Sequence, residues 1–251
     1  MLPTDHFNYL LRLGDNALIL GQRLGEWCGH GPVLEQDIAL TNIALDLVGQ
    51  TRSWLAYAGE VEGAGRDEDA LAFLRDGHEF RNVLLVEHPN EDFAYTIVRQ
   101  FLFDSFNYYL HEGLVRSQDA QVAAIAARSL KEITYHLRFS SEWMIRLGDG
   151  TEVSHQKMQT ALDDLWPYAD EVLLSDAVDE AAYAAGIAPN LLDLRPLVEA
   201  KRKAILTEAT LQLPHDVYQQ RGGKQGQHTE ALGYILADMQ WLQRAYPGAE
   251  W

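Results

Sequence analysis

Three carboxylates interrupt apolar helical stripes: Asp46, Asp104 and Glu132. Asp104 shares a face with Ile97, and Glu132 shares one with His136. A buried carboxylate is costly unless it is paired, hydrogen-bonded or bound to a metal. Carboxylates on facing helices of a bundle are typical of di-iron or di-manganese sites.

The histidines that such a site needs are missing from the expected positions. A di-iron bundle uses a Glu from each of two helices and a Glu-x-x-His from each of the other two. Among all Asp and Glu residues, only Glu152 has a histidine three positions later, and it follows a glycine-rich turn at a helix start. Asp46 is followed at that spacing by Gly49, and Glu132 by Tyr135, with His136 one residue further. The pattern therefore favours a structural role for these carboxylates, and it predicts a degenerate site at Asp46, Gly49, Asp104, Glu132, Tyr135 and His136, with no bound metal and no catalytic residue.

A glycine-rich segment at Gly222–Gly233 is the other candidate site. It lacks the Ser/Thr and the preceding strand of a phosphate-binding loop. One interpretation is a surface that serves a partner protein; the other is an intramolecular turn, with Thr229 capping the next helix. The contact candidates are Gly222, Gly223, Lys224, Gly226, His228, Thr229 and Glu230.

The elements that position these residues are predicted to be helices. Apolar periodicity and the prolines place them at about 5–28, 34–61, 68–87, 91–117, 119–148, 154–174, 190–213 and 228–246, with Asp92, Asp119 and Ser154 as N-caps. Two long helical hairpins joined by a crossover predict an all-α, ferritin-like bundle. We expect a single domain over 1–251, with a core at about 5–148 and additional helices at about 154–246.

Composition indicates a cytoplasmic protein. No apolar run is long enough to span a membrane, and the lone Cys28 fits a reducing compartment. The net charge of −17 argues against nucleic acid or an anionic membrane as a partner.

Several segments resemble PaaC, the family of structural subunits of the bacterial phenylacetyl-CoA 1,2-epoxidase, a multicomponent oxygenase. The resemblance extends over essentially the whole chain to Trp251, without a clear departure, and is carried by Arg12–Asn16, Gln22–His30, Asn42–Gln50, Lys131–Arg138 and Gly222–Gly233.

The resemblance implies a ferritin-like fold and a non-catalytic subunit that pairs with a homologous catalytic subunit, which holds the di-iron centre and binds the CoA thioester. The partner contact expected at Gly222–Gly233 would then be with that subunit or with the phosphates of its CoA substrate. The resemblance also implies a reductase with FAD and an iron–sulfur cluster that takes electrons from NADPH. No cofactor is expected in this chain. There are two alternatives. One is an independent di-metal oxidase or iron-binding protein, which the missing histidines disfavour. The other is a helical adaptor unconnected to oxygenation.

Overall fold

The computed structural model describes residues 1–249; Glu250 and Trp251, the end of the resemblance, lie outside the described residues. Within that range the chain is helical and contains no β-strand, which confirms the predicted all-α class. The α-helices are α1 (Pro3–Gly25), α2 (Leu34–Glu62), α3 (Glu68–Phe73), α4 (Phe93–Leu114), α5 (Ala120–Gly148), α6 (Glu152–Leu165), α7 (Ala177–Ala184), α8 (Leu191–Glu208) and α9 (Glu230–Ala245).

The chain divides into two compact units. The first contains Met1–His88 and the described residues from Arg221 onward, and the second contains Pro89–Gln220. The first unit therefore holds α1, α2, α3 and α9, and the second holds α4 to α8. Each unit contains one of the two predicted hairpins.

In the first unit, α1 and α2 form the hairpin, and two glycines of α1 let the helices approach closely. A Cβ at Gly21 would lie 3.3 Å from the Cβ of Leu47, and one at Gly14 would lie 2.6 Å from Leu55 Cδ2. Pro3 begins α1 at a position where its missing N–H costs nothing. Gly63, with φ 68°, ends α2 in the left-handed conformation.

In the second unit, α4 and α5 form the other hairpin, and α6 and α8 pack against it. Asp92 and Asp119 cap α4 and α5, as predicted, by accepting backbone N–H groups. Arg202 of α8 is buried and donates to the Ser105 hydroxyl (2.9 Å) and to the Leu102 carbonyl (2.8 Å) of α4. Burial lowers the pKa of this guanidinium to about 10.

Two predicted helices are shorter than expected at their C-terminal ends, and one helix was not predicted. The helix predicted at 68–87 ends at Phe73, and short 3₁₀ turns follow at Gly77–Glu79 and Leu84–Glu87. The helix predicted at 154–174 covers Glu152–Leu165, because Pro167 cannot continue an α-helix, and its N-cap is Thr151 rather than Ser154. The additional α7 at Ala177–Ala184 lies outside every predicted helix.

Candidate functional site

Asp104 is the most deeply buried of the three candidate carboxylates, with 1% of its surface exposed. Gln100 Nε2 donates to its Oδ1 and Ser140 Oγ donates to its Oδ2, both at 2.8 Å. Burial raises the pKa of Asp104 to about 6, although nearby His136 and the two hydrogen bonds oppose the rise. Both carboxylate oxygens are therefore satisfied by neutral donors.

Two buried histidines lie in the same unit. His111 on α4 has its Nδ1 2.9 Å from the Asn107 carbonyl, and burial lowers its pKa to about 4. His136 on α5 is fully buried. Within residues 1–249, no group of three or more His, Cys, Asp or Glu side chains could hold a metal ion. The donor set of the described residues does not fit a di-iron centre.

Glu132 and Tyr135 are not core residues. Glu132 is half-buried, and Tyr135 is 38% exposed, with its ring 6.2 Å from that of Phe139. Glu132 therefore lies at the border of the buried face that holds His136 and Phe139, not within the core. Of the degenerate-site positions in the second unit, Asp104 and His136 come close enough to interact electrostatically.

Asp46 and Gly49 belong to α2 in the first unit. Asp46 is half-buried rather than buried, and Gly49 is exposed. A Cβ built at Gly49 would meet no atom within 4 Å. The position where a di-iron bundle would carry a histidine thus opens to solvent.

In the Glu-x-x-His sequence at Glu152–His155, the histidine binds the C-terminal end of the preceding helix and not a metal site. His155 Nδ1 lies 2.7 Å from the carbonyl of Gly148, the last residue of α5. Thr151 caps α6 by accepting the Ser154 N–H. The last carbonyl groups of an α-helix have no N–H partner within the helix, and the imidazole N–H supplies that hydrogen bond here.

The glycine-rich segment folds back onto residues 78–84 of its own unit. A Cβ at Gly223 would overlap the Asn82 carbonyl oxygen, and one at Gly226 would overlap the His78 carbonyl oxygen. Gly226 has φ 79°, a conformation that favours glycine. Lys224 is only 8% exposed. This placement favours the intramolecular turn, while a contact with a partner or with CoA phosphates stays a prediction.

His228 and Thr229 of this segment bind the buried carboxylate of Glu87. Both the backbone N–H and the hydroxyl of Thr229 donate to Oε2 (2.8 and 2.7 Å), so the hydroxyl does not cap α9, although Thr229 stands at its N-cap. His228 Nδ1 lies 2.6 Å from Oε1, and its Nε2 lies 3.1 Å from the Phe80 carbonyl. Because the Phe80 carbonyl can only accept, the Nε2–H of His228 donates to it, and the Nδ1 contact with Oε1 fixes the ring against Glu87.

Sequence reasoning missed the polar groups that hold the 75–88 segment. The Glu87 backbone carbonyl accepts two hydrogen bonds from Arg23 (3.0 and 2.7 Å). Asp15 forms a bidentate, fully buried pair with Arg75 and also accepts the Arg81 N–H at 2.8 Å. In the sequence, Asp15 and Arg23 stand out only because they lie within segments that resemble the family.

The helical fold defines a chain of the ferritin-like class, and its described residues lack the ligand set with which other bundles of that class hold two metal ions. Residues 3–251 match the family described as "Phenylacetic acid catabolic protein", and the chain belongs to that family. It is 53% identical over 243 residues to a subunit of the 1,2-phenylacetyl-CoA epoxidase of Escherichia coli (strain K12), and the matched region covers 97% of this chain and 98% of the relative.

Among the described residues, no helix is both long enough and apolar enough to cross a membrane.

Proposed function

We propose that this chain is a structural, non-catalytic subunit of a bacterial multicomponent oxygenase that epoxidises the aromatic ring of phenylacetyl-CoA in phenylacetate catabolism. The name of the 53% identical relative supports the substrate and the existence of other subunits. The state of Asp104 supports the non-catalytic role, because both of its oxygens are occupied by Gln100 and Ser140.

The residues at the positions where histidine metal ligands would be expected also support a non-catalytic role. Exposed Gly49 and partly exposed Tyr135 cannot substitute for two inward-facing imidazoles. We therefore propose that no step of the reaction takes place on this chain. Its proposed role is to stabilise and complete the homologous catalytic subunit, which would hold the di-iron centre and bind the thioester.

The remaining components of the proposed assembly follow the family resemblance. A reductase with FAD and an iron–sulfur cluster would pass electrons from NADPH to the catalytic subunit. We propose a cytoplasmic location and no nucleic-acid or membrane partner, which the net charge of −17 supports.

The second candidate function is an independent carboxylate-bridged di-metal oxidase or iron-binding protein. The single observation in its favour is the proximity of Asp104 to His136 in a buried interior. One carboxylate and one imidazole are too few ligands for such a site.

Co-expression tests the proposed function directly. The epoxidase subunits of the same organism are produced with and without this chain, and ring epoxidation of phenylacetyl-CoA is measured with NADPH and O₂. We expect co-purification of the complete set and loss of activity or of soluble catalytic subunit when this chain is omitted. Full activity without it, together with no co-purification, would contradict the proposal.

A further inference from the structure

A groove of about 620 Å³ lies in the first unit, between α9 and the turn at Asp76 and Gly77. Leu236 and Trp241 of α9 line this groove, and Trp241 is 61% exposed. Most of the lining surface is apolar. Pockets of this size that combine apolar walls with a few placed polar groups are typical of small-molecule sites. We call this space the α9 groove.

Gln240 presents an unused hydrogen-bond acceptor to the α9 groove, although only 4% of its surface is exposed. Its Nε2 donates to the carbonyls of Ala72 (3.1 Å) and Arg75 (3.0 Å). Because those carbonyls can only accept, they fix the orientation of the amide, and Oε1 points away from them. No donor among residues 1–249 binds Oε1. A ligand that donates an N–H or O–H group within the groove completes the hydrogen bonding of this side chain.

The two charged groups of the α9 groove compensate each other. Arg244 donates to the Asp76 carboxylate (3.1 Å) and to the Arg75 carbonyl (2.8 Å). The other lining residues of the described chain are not ionisable. Because burying a charge is costly unless the charge is paired, a groove without net charge favours an uncharged group over an ion.

Small residues leave space beside Trp241. Ala237 and Gly233 lie four and eight residues before Trp241, on the same side of α9, and both line the groove. A Cβ built at Gly233 would meet no atom within 4 Å. An exposed indole beside small side chains offers a face on which a planar ring can stack, and stacking on an aromatic side chain is a common way to bind a nucleobase.

We propose that the α9 groove binds an adenine ring, with the face of the ring on Trp241 and its exocyclic N–H donated to Gln240 Oε1. Adenine is planar, is uncharged at neutral pH and carries an amino group, so it fits the stacking face, the neutral lining and the free acceptor. Phenylacetyl-CoA, the substrate in the proposed function, contains this ring and is the ligand assigned to the groove. That assignment rests on the proposed function, whereas binding of the ring by itself does not.

The first test measures the binding of adenosine to the isolated full-length chain by titration calorimetry. The 6-dimethylamino analogue of adenosine keeps the ring but has no exocyclic N–H. We expect it to bind at least about 10-fold more weakly than adenosine, because the Gln240 acceptor stays unpaired. No detectable binding of adenosine at millimolar concentration, or equal affinity for the two nucleosides, would overturn the proposal.

Trp241→Ala tests the stacking face. This variant is expected to bind adenosine about 5- to 150-fold more weakly than the unchanged chain, the loss that removal of a base-stacking side chain produces. Tyr183→Ala, which removes a 52% exposed aromatic ring from α7, is the matched control and is expected to bind like the unchanged chain.

Gly233→Leu places a side chain in the groove and keeps the test independent of folding. Its Cβ has free space and leucine is a better helix former than glycine, so the chain is expected to melt no lower than before and yet to lose adenosine binding. Gly49→Leu, at another helical glycine whose Cβ would meet no atom, is the control that should bind normally. Unchanged binding by both Trp241→Ala and Gly233→Leu would overturn the assignment of the groove.

Coenzyme A is the second probe, and it separates a free nucleoside from a thioester as the source of the ring. We expect coenzyme A to bind at least as tightly as adenosine and to respond to the same variants. Binding of adenosine without binding of coenzyme A would overturn the assignment to phenylacetyl-CoA. Because these measurements use the isolated chain, their failure contradicts the groove alone, and failure of the co-expression test contradicts the proposed function alone.

Discussion

Replacing Asp104 by asparagine is expected to stabilise the protein at neutral and alkaline pH. The carboxylate is buried, and its charged form is penalised, as the pKa of about 6 shows. The substitution removes the charge and retains the shape of the side chain. The carbonyl of the new amide still accepts from Gln100 Nε2, and its NH₂ group can donate to the Ser140 hydroxyl, which rotates to accept.

The pKa of Asp104 sets the size and the pH range of the effect. A rise from 3.8 to about 6, at about 1.4 kcal/mol per pKa unit, corresponds to about 3 kcal/mol of unfolding free energy. Because the pKa is raised on folding, this contribution is absent below pH 3.8, where both states are protonated. The stability of the unchanged protein falls as the pH rises towards 6, and the full loss is present at pH 8.

Urea unfolding followed by circular dichroism at pH 4, 6 and 8 measures this effect. Asp104→Asn is expected to gain up to about 3 kcal/mol at pH 8 and almost nothing at pH 4. Asp163→Asn, an exposed carboxylate on α6, controls for removing one charge from an acidic chain. A variant that is less stable than the unchanged protein at pH 8, or equally shifted at every pH, would refute the reasoning.

Three further predictions concern stability. Burial lowers the pKa of His111 to about 4, so on acidification below pH 6.5 the unfolded state takes up a proton before the folded state does, and stability is lost. His111→Asn should therefore reduce the loss of stability between pH 6.5 and pH 4 by up to about 3 kcal/mol in urea unfolding. An unchanged pH dependence would contradict this prediction. Glu87→Gln should cost about 2–6 kcal/mol in the same assay, since an amide nitrogen cannot accept the two hydrogen bonds that one carboxylate oxygen receives, and each buried donor left without an acceptor costs about 1–3 kcal/mol. Glu142→Gln, at the exposed ion pair with Arg138, should cost at most about 1 kcal/mol, and equal losses would contradict the buried assignment. If the chain is one domain, as its sequence predicts, calorimetry should show one cooperative transition, and two separate transitions would contradict that prediction.

Much of the fold is predictable because periodicity and caps mark the long helices in the sequence. The hairpin helices α1, α2, α4 and α5 lie within a few residues of their predicted bounds, and both aspartate caps are confirmed. The segment after Phe73 is not predictable from local pattern. Its apolar run has helical spacing, but the buried pair of Arg75 with Asp15, far away in sequence, holds it in turns instead.

The candidate site is predictable in part. The burial of Asp104 follows from its apolar neighbours, whereas Glu132 and Asp46 have partly exposed faces that periodicity alone does not reveal. From the sequence, the segment around Lys224 could be a partner-contact surface or an intramolecular turn. In the structure its glycines pack against the backbone of residues 78–84. That contact joins positions about 140 residues apart, and a single sequence carries no signal for such a pairing.

The iron content of the isolated chain tests the central claim most directly. The purified subunit is incubated anaerobically with ferrous iron, freed of unbound metal, and analysed for iron per chain. The absence of histidine at Gly49 and Tyr135 predicts well under one iron per chain. Two tightly bound irons per chain would contradict the account of this protein as a non-catalytic subunit.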